Sequence, residues 1–591
     1  MHKPASVLNN SLTQRRWKRR DSLAAAALSL ASAAVVLWQN AHLCVLWDAS
    51  YTLDTSFRIA LGQMPYRDFP LVHAPLTFLI QAAIMRLTGR VFIHHVLYAA
   101  IVNGLATVLA WRIALRTLQS RLCSAWPVSL LLVAPLTVLG VYSILPFPSY
   151  DCDCAFSLLL VIFLLQRLPE YSAASHSRLR FLLAGAALPL PLLFKQNIGL
   201  PFLAAAFALV FLLMLVNRLR RVPALLGTPA LAALLAGAVA TLAAAGLLLH
   251  FTAGLGNYLH WTIHFAAQRR LPGLPVMLAV YAEPSLLWWL LCCALALAFL
   301  HSCLPWARLA VLVLLAAPFL WTLFTLFLST DPDDRAAHLL ALWPLLLVLS
   351  AALSLWNLCR QPSLRASLPV LLLAAIHGCF LSQQLWGSTY AIWPLLALLI
   401  AEMIAFVAAI ESSIIRTKPA PQTLFLAPAL AAILSATLLV CGGLYTASEE
   451  RLSYARLQDG PVLHSALPAL RGLAVSGPYL PEFEELLRFA NKEIPLTDGL
   501  ILLPGEDPFY FATGRAPQFP VLLFDNATDP LSSPAQLVAE AERRNIRWLI
   551  VKRNLQIKED VTPRREAALA ALQQVFLPYR KLRGYDIYRR P

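Results

Sequence analysis

Runs of about twenty mostly apolar residues recur along most of this chain, and no other feature limits its fold so tightly. A helix needs about 20 such residues to cross the hydrocarbon core of a bilayer. Runs of this kind fall near 23–43, 92–111, 126–143, 154–166, 181–194, 198–216, 224–250, 285–304, 309–328, 337–356, 368–384, 389–410 and 423–446. They predict about thirteen crossings, those at 154–166 and 181–194 being short. Only 13% of the 591 residues are charged and 59% are hydrophobic, against roughly 25% charged in soluble domains. The predicted class is an α-helical polytopic membrane protein.

The formal charge of +16 suggests a nucleic-acid partner until its distribution is read. From Ser448 onward 19 Lys and Arg nearly balance 18 Asp and Glu, and the other 28 bases and 13 acids lie in the first 447 residues. Twenty of those 28 bases occupy alternate loops: the N-terminus and the loops holding Arg112, Arg167, Arg218, Arg308, Arg360 and Arg416. That pattern sets topology and meets anionic headgroups rather than DNA. It predicts a multi-pass protein of the cell (inner) membrane, with a basic cytoplasmic N-terminus over 1–22. Residues 23–447 form the transmembrane part, and a tail over 448–591 lies outside. The basic start resembles a signal peptide, but no small-x-small site follows, so an uncleaved first span is expected. Nine of the thirteen acids, Asp48, Asp54, Asp68, Asp151, Asp153, Glu283, Asp331, Asp333 and Asp334, fall on the outer side. Acids contribute little to topology, so chemistry at the outer face is the simplest cause.

The first outer loop, 47–91, holds much of that polarity. Leu53, Phe57, Ala60 and Leu61 recur at helical spacing. Leu76–Thr88 has Pro75 at its start and Gly89 just beyond its end, as helices prefer. Thirteen residues at about 1.5 Å each cannot span, so both segments are expected to lie along the membrane interface. The tail reads as a small α/β domain. Helices are predicted at Glu482–Asn491, Pro534–Arg544 and Arg564–Phe576, and strands at Leu500–Leu503, Trp548–Val551 and Tyr585–Tyr588. Without a phosphate loop or nucleophile elbow it is assigned no chemistry. The cysteines read as small buried hydrophobes. Cys152 and Cys154 lack metal-site spacing.

Asp48 closing the first span, then Pro65-Tyr66-Arg67-Asp68-Phe69 and His73-Ala74-Pro75-Leu76, resembles the polytopic lipid-donor glycosyltransferases of the C-type fold. Protein O-mannosyltransferases and the lipid A aminoarabinose transferase are members. Phe194-Lys195-Gln196 resembles bacterial relatives, as do Leu502-Leu503-Pro504-Gly505-Glu506 and Tyr510-Phe511-Ala512-Thr513-Gly514-Arg515 in the tail. Two positions depart from the family. Ala49 follows Asp48 where many members carry Asp-Glu, and Ala74 stands where many carry lysine.

The resemblance implies transfer of a hexose or pentose from a polyprenyl-phosphate carrier to a glycolipid, polysaccharide or protein acceptor, with inversion at the anomeric carbon. The residue types suit that reaction in their own right. The attacking hydroxyl must lose a proton, so one ionised carboxylate is needed as general base, and Asp48 is the candidate. The leaving phosphate needs no general acid but gathers negative charge that cations should hold. Candidates for that role are Lys195, Gln196, Arg58, Arg67, Arg269, Arg270 and Arg335. Tyr51, Asp68 and His73 are candidates for the acceptor or sugar. Asp151-Cys152-Asp153 resembles a metal-binding pair, yet a lipid-phosphate donor in this class calls for no metal, and no cofactor is expected. Tyr258, His260, Trp261, His264 and Phe265 form an aromatic patch that covers the groove, stacks on a sugar or belongs to the interfacial belt. A lipid-linked sugar flippase would also explain many spans. Such proteins place polar groups at the midplane on repeated halves, and here only Glu402 lies within a span and no repeat is visible. An O-antigen ligase would centre on arginines of one large outer loop.

Overall fold

The computed structural model describes residues 18–42, 46–143, 145–168, 175–220, 228–300, 302, 306–328, 340–381, 391–416, 424–447, 460–524, 533–555 and 563–591. Ten helices form the first part: α1 Arg19–Asn40, α2 Leu46–Ala60, α3 Leu76–Thr88, α4 Phe92–Gln119, α5 Ala125–Val133, α6 Tyr150–Gln166, α7 Ser175–Ala187, α8 Leu190–Phe194, α9 Gln196–Arg220 and α10 Thr228–Thr252. After short helical pieces over 255–282 come Leu286–Leu300, Ala307–Leu328, Trp343–Arg360, Leu364–Cys379, Trp393–Arg416 and Leu426–Thr446. The protein is a multi-pass helical membrane protein with a small sheet domain at its C-terminus.

Each of the thirteen predicted spans has a helix at its place. Among the described residues, however, eight helices are long and apolar enough to cross, or nine if the bent pair Leu274–Ala282 and Leu286–Leu300 is one span. The difference comes from breaks and from length, since α6 has 17 residues and Leu364–Cys379 has 16. α5 passes into a 3-10 turn at Ala134, and α7 is parted from α8 by a break at Leu188 and Pro189.

Small residues let the helices approach. A Cβ on Gly185 of α7 would lie 2.0 Å from the Leu234 carbonyl of α10, and one on Gly237 would lie 2.1 Å from that of Leu182. α1 meets α4 through Ser32 Oγ donating to Thr107 at 3.0 Å and Asn103 donating to the Ser32 carbonyl at 3.1 Å. Such polar contacts replace a hydrophobic drive that lipid does not supply.

The C-terminal domain has a sheet of β3 Gly499–Leu503, β4 Ile546–Lys552, β5 Leu577–Lys581 and β6 Tyr585–Arg589, in the order β3-β4-β6-β5. β3 and β4 are parallel and the other pairs antiparallel. β1 Val462–His464 and β2 Ala474–Ser476 form a separate hairpin. The three predicted strands and three predicted helices occur, with ends shifted by a few residues. β1 and β2 have three residues each, too few to show an alternation, and every residue of β5 is exposed, so no apolar pattern marks these strands.

α2 corrects two expectations. It begins at Leu46, not Leu53, so Asp48 sits in its first turn rather than in a preceding loop. Eleven of its 15 residues are buried. Leu46, Ala49, Leu53 and Phe57 enter one apolar core with Leu480, Phe483, Leu486, Phe511, Trp548 and Ile587 of the C-terminal domain. An apolar stripe requires cover but does not say by what, and here protein supplies it.

Candidate functional site

The chain between α2 and α3 folds as a closed turn. Asp68 accepts the Met64 backbone N–H at 2.7 Å, the Tyr66 N–H reaches the Phe69 carbonyl at 2.9 Å, and exposed Arg67 pairs with Asp68 at 2.8 Å. Tyr66 takes a positive φ of 70°, uncommon for a bulky residue. This turns its ring inward against Tyr258, with centroids 5.1 Å apart, and lets its hydroxyl donate to the His73 carbonyl at 2.7 Å. The hydrogen bond from Arg67 holds the Asp68 carboxyl below its ordinary range. Asp68 and Arg67 thus shape the loop that presents His73.

The opposite wall comes from α6 and the α8–α9 junction. Ser149 caps α6, its hydroxyl accepting the Asp151 N–H at 3.3 Å, and this sets Tyr150, Asp151 and Asp153 in the first turn. Asp153 accepts hydroxyls of Thr77 at 2.6 Å, Tyr98 at 2.8 Å and Tyr142 at 2.7 Å. It is a brace between α3, α4 and α6. Asp151 pairs with Lys195. Lys195 occupies the one extended residue between α8 and α9 (φ −150°, ψ 114°), where the helix breaks and its side chain turns inward. Both residues are buried, at 5% and 6% exposure. A charge so buried requires a partner, and the two acids of Asp151-Cys152-Asp153 therefore serve different groups.

From this ion pair a chain of rings leads back to α2. Lys195 Nζ lies 5.2 Å from the Tyr150 ring centroid, and Tyr150 stacks on His73 at 4.0 Å. His73 Nδ1 is 3.1 Å from Tyr51 Oη. Asp48 is half-buried one turn before Tyr51 on the same side of α2. Gln196 clamps the loop, accepting the Ala74 N–H at 3.2 Å and donating to the carbonyls of Val72 at 2.8 Å and Thr262 at 3.2 Å. The last contact ties the aromatic segment around Tyr258 and Trp261 to the site.

Beside this chain lies a narrow cleft lined by Tyr51, Thr55, Arg58, Phe69, Pro70 and Val72 on one side and Pro520–Leu523 of the C-terminal domain on the other. That second wall is not legible in the residues, since no pattern in 517–523 announces what it faces. Arg58 is buried, donates to the Pro520 carbonyl at 2.8 Å and to Gln63 at 2.6 Å, and covers the Phe69 ring at 4.3 Å. Burial pulls its pKa down to about 9. Arg269 lies over Phe265, at 5.4 Å. The Arg270 side chain and all of Arg335 fall outside the described residues. The structure therefore gathers Tyr51, His73, Lys195 and Gln196 with Tyr150 and Asp151, sets Asp48 one turn before Tyr51 on the same helix, and uses Arg58, Arg67 and Asp68 to hold the loop and its wall.

Asp54, one turn beyond Tyr51, accepts the backbone N–H groups of Phe511 at 2.7 Å and Tyr510 at 3.3 Å. Burial pushes its carboxyl up to about 8 against those hydrogen bonds, with Asp507 acting in the same direction and Arg58 opposing. The folded protein thus holds this proton more firmly than the unfolded chain does. The associated stability is full below the ordinary carboxyl pKa of 3.8 and is lost as pH rises toward about 8. Across that interval the slope is about −1.4 kcal/mol per pH unit. Thermal melting of the full chain is expected to weaken with pH over this window, and to weaken less in Asp54→Asn.

No family model and no curated protein matches this chain. Among solved structures it is similar to ArnT from Cupriavidus metallidurans bound to undecaprenyl phosphate. That likeness has 11% identity and a TM-score of 0.49, and covers 96% of this chain and 97% of that one. It is also similar to the archaeal oligosaccharyltransferase AglB from Archaeoglobus fulgidus in complex with an inhibitory peptide and a dolichol-phosphate. There the identity is 12% and the TM-score 0.45, with 90% of this chain and 69% of that one covered.

Proposed function

We propose that this protein is a membrane glycosyltransferase that moves a sugar from a polyprenyl-phosphate donor to an acceptor on the outer face of the membrane, with residues 18–22 on the cytoplasmic side. The observation that carries the reading is the run of side chains from Lys195 through Tyr150 and His73 to Tyr51. It brings a buried ammonium from a distant part of the chain to the face of α2 on which the half-buried Asp48 stands, one turn before Tyr51.

In this reading the acceptor hydroxyl gives its proton to Asp48 as its oxygen attacks the anomeric carbon. The bond from that carbon to the phosphate oxygen breaks on the opposite side, and polyprenyl phosphate leaves with the electron pair. Lys195 offsets the growing charge, with Asp151 orienting its ammonium and Gln196 fixing the loop beside it. Arg58, Arg67, Arg269, Arg270 and Arg335 remain further candidates for the phosphate, and Tyr51, His73 and Asp68 for the acceptor or sugar. Attack on one face of the anomeric carbon with departure from the other is a single displacement and inverts its configuration.

Purified full-length protein given polyprenyl-phosphate sugars and a membrane glycolipid fraction is expected to yield a glycosylated product of inverted anomeric configuration, read by NMR. Retained configuration would rule out the single displacement. Sugar passage across vesicles without transfer would favour a flippase.

A further inference from the structure

Resting on the transferase reading, we infer that Asp54 is a positioning residue: it fixes α2, and with it Asp48 and Tyr51, to the C-terminal domain. The domain then acts in the reaction although it contributes no group to the bond changes.

α2 presents three stripes to three surroundings. Leu46, Ala49, Leu53 and Phe57 are in the core of the C-terminal domain. Asp48, Tyr51 and Thr55 follow one another at i, i+3 and i+7, the spacing of one helix face, and the last two line the cleft. Between these lie Ser50, Asp54 and Arg58 at i, i+4 and i+8. Each of the three bonds to the C-terminal backbone. Ser50 Oγ donates to the Glu506 carbonyl at 2.5 Å, Asp54 accepts from Phe511 and Tyr510, and Arg58 donates to the Pro520 carbonyl.

The receiving segment is itself rigidly seated. Lys552 of β4 reaches Glu506 at 3.1 Å and Asp507 at 2.7 Å. Asp507 also accepts the hydroxyls of Tyr479 and of Tyr585 on β6, each at 3.0 Å. A continuous set of bonds therefore runs from the sheet to α2. The middle of the three, Asp54, holds two N–H groups of the short helix Phe509–Thr513 that are left without partners inside that helix. A buried carboxyl on such groups does more than fill space. It fixes the rotation of α2 and so the direction of its neighbouring stripe.

The test uses full-length Asp54→Ala, Asp54→Asn and, as a control, Leu537→Ala, which thins the core on the far side of the sheet. Hydrogen exchange of residues 46–60 and steady-state kinetics are measured on each. Asp54→Ala is expected to speed exchange in α2 and to lower kcat by about ten- to a hundredfold, since a small misplacement has that effect, while donor KM stays within about twofold. Asp54→Asn keeps an oxygen for the Phe511 N–H and is expected to recover most of kcat. Leu537→Ala lowers the melting temperature without this kcat loss. Unchanged exchange and kcat in Asp54→Ala, or an equal kcat loss in Leu537→Ala, would overturn the inference. Faster exchange in Asp54→Ala with a wild-type protein inert toward every polyprenyl-phosphate sugar would instead overturn the transferase reading and leave the attachment of α2 standing.

Discussion

Asp48→Asn is expected to fold and insert as the wild type does and to lose about two to four decades of transfer rate, the usual contribution of a positioned base. The amide has the same shape, and Asp48 lies in the first turn of α2, half-buried, so little packing is disturbed. What is lost is the charge. A carboxylate in the first helical turn is favoured by the helix dipole, and the amide forfeits that interaction together with the base. Ala49 follows Asp48, so the neighbouring position supplies no second carboxylate. Donor KM should stay near the wild-type value, because the base acts on the acceptor. Near-normal kcat in Asp48→Asn would end the assignment.

The second large effect concerns Lys195. Replacing it with Met leaves Asp151 buried beside Tyr150 without its cation, and breaking a buried pair from one side costs about 3–5 kcal/mol. A loss of activity in Lys195→Met alone is therefore ambiguous. The double variant Lys195→Met/Asp151→Asn removes both charges and is expected to restore melting close to wild type. Its affinity for the polyprenyl-phosphate donor should remain about ten- to a hundredfold weaker, since a hydrogen bond to a charged group contributes about 1.5–3 kcal/mol. Donor binding and melting measured on both variants separate the two roles. Wild-type donor affinity in the double variant would reduce Lys195 to a structural partner of Asp151.

Much of this arrangement was legible in the residues. The apolar runs fixed where helices lie, because a bilayer tolerates little else. Pro75 and Gly89 marked the ends of α3 correctly, with Gly89 at a φ of 82°. Lys195 stands out as a lysine after a short apolar run, and the structure buries it at the break between α8 and α9. Pairing across the chain was not legible. Nothing near Lys195 names Asp151, and nothing in α2 names Phe511. Those partners are set by how spans pack, over separations of 44 and 457 residues. The turn at 64–69 shows the same limit. Charge marks Arg67 and Asp68 as site candidates, and the structure has them also close the turn that carries Tyr66 inward. The C-terminal domain, without a phosphate loop or nucleophile elbow, contributes by covering α2 and walling the cleft.

The most direct test of the account is single turnover with purified full-length protein and a radiolabelled polyprenyl-phosphate sugar, following release of polyprenyl phosphate with and without acceptor. The wild type is expected to release it when acceptor is added, while Asp48→Asn binds the same donor and holds it intact. Equal release by both proteins, or none from the wild type with any lipid-linked sugar, would contradict the account.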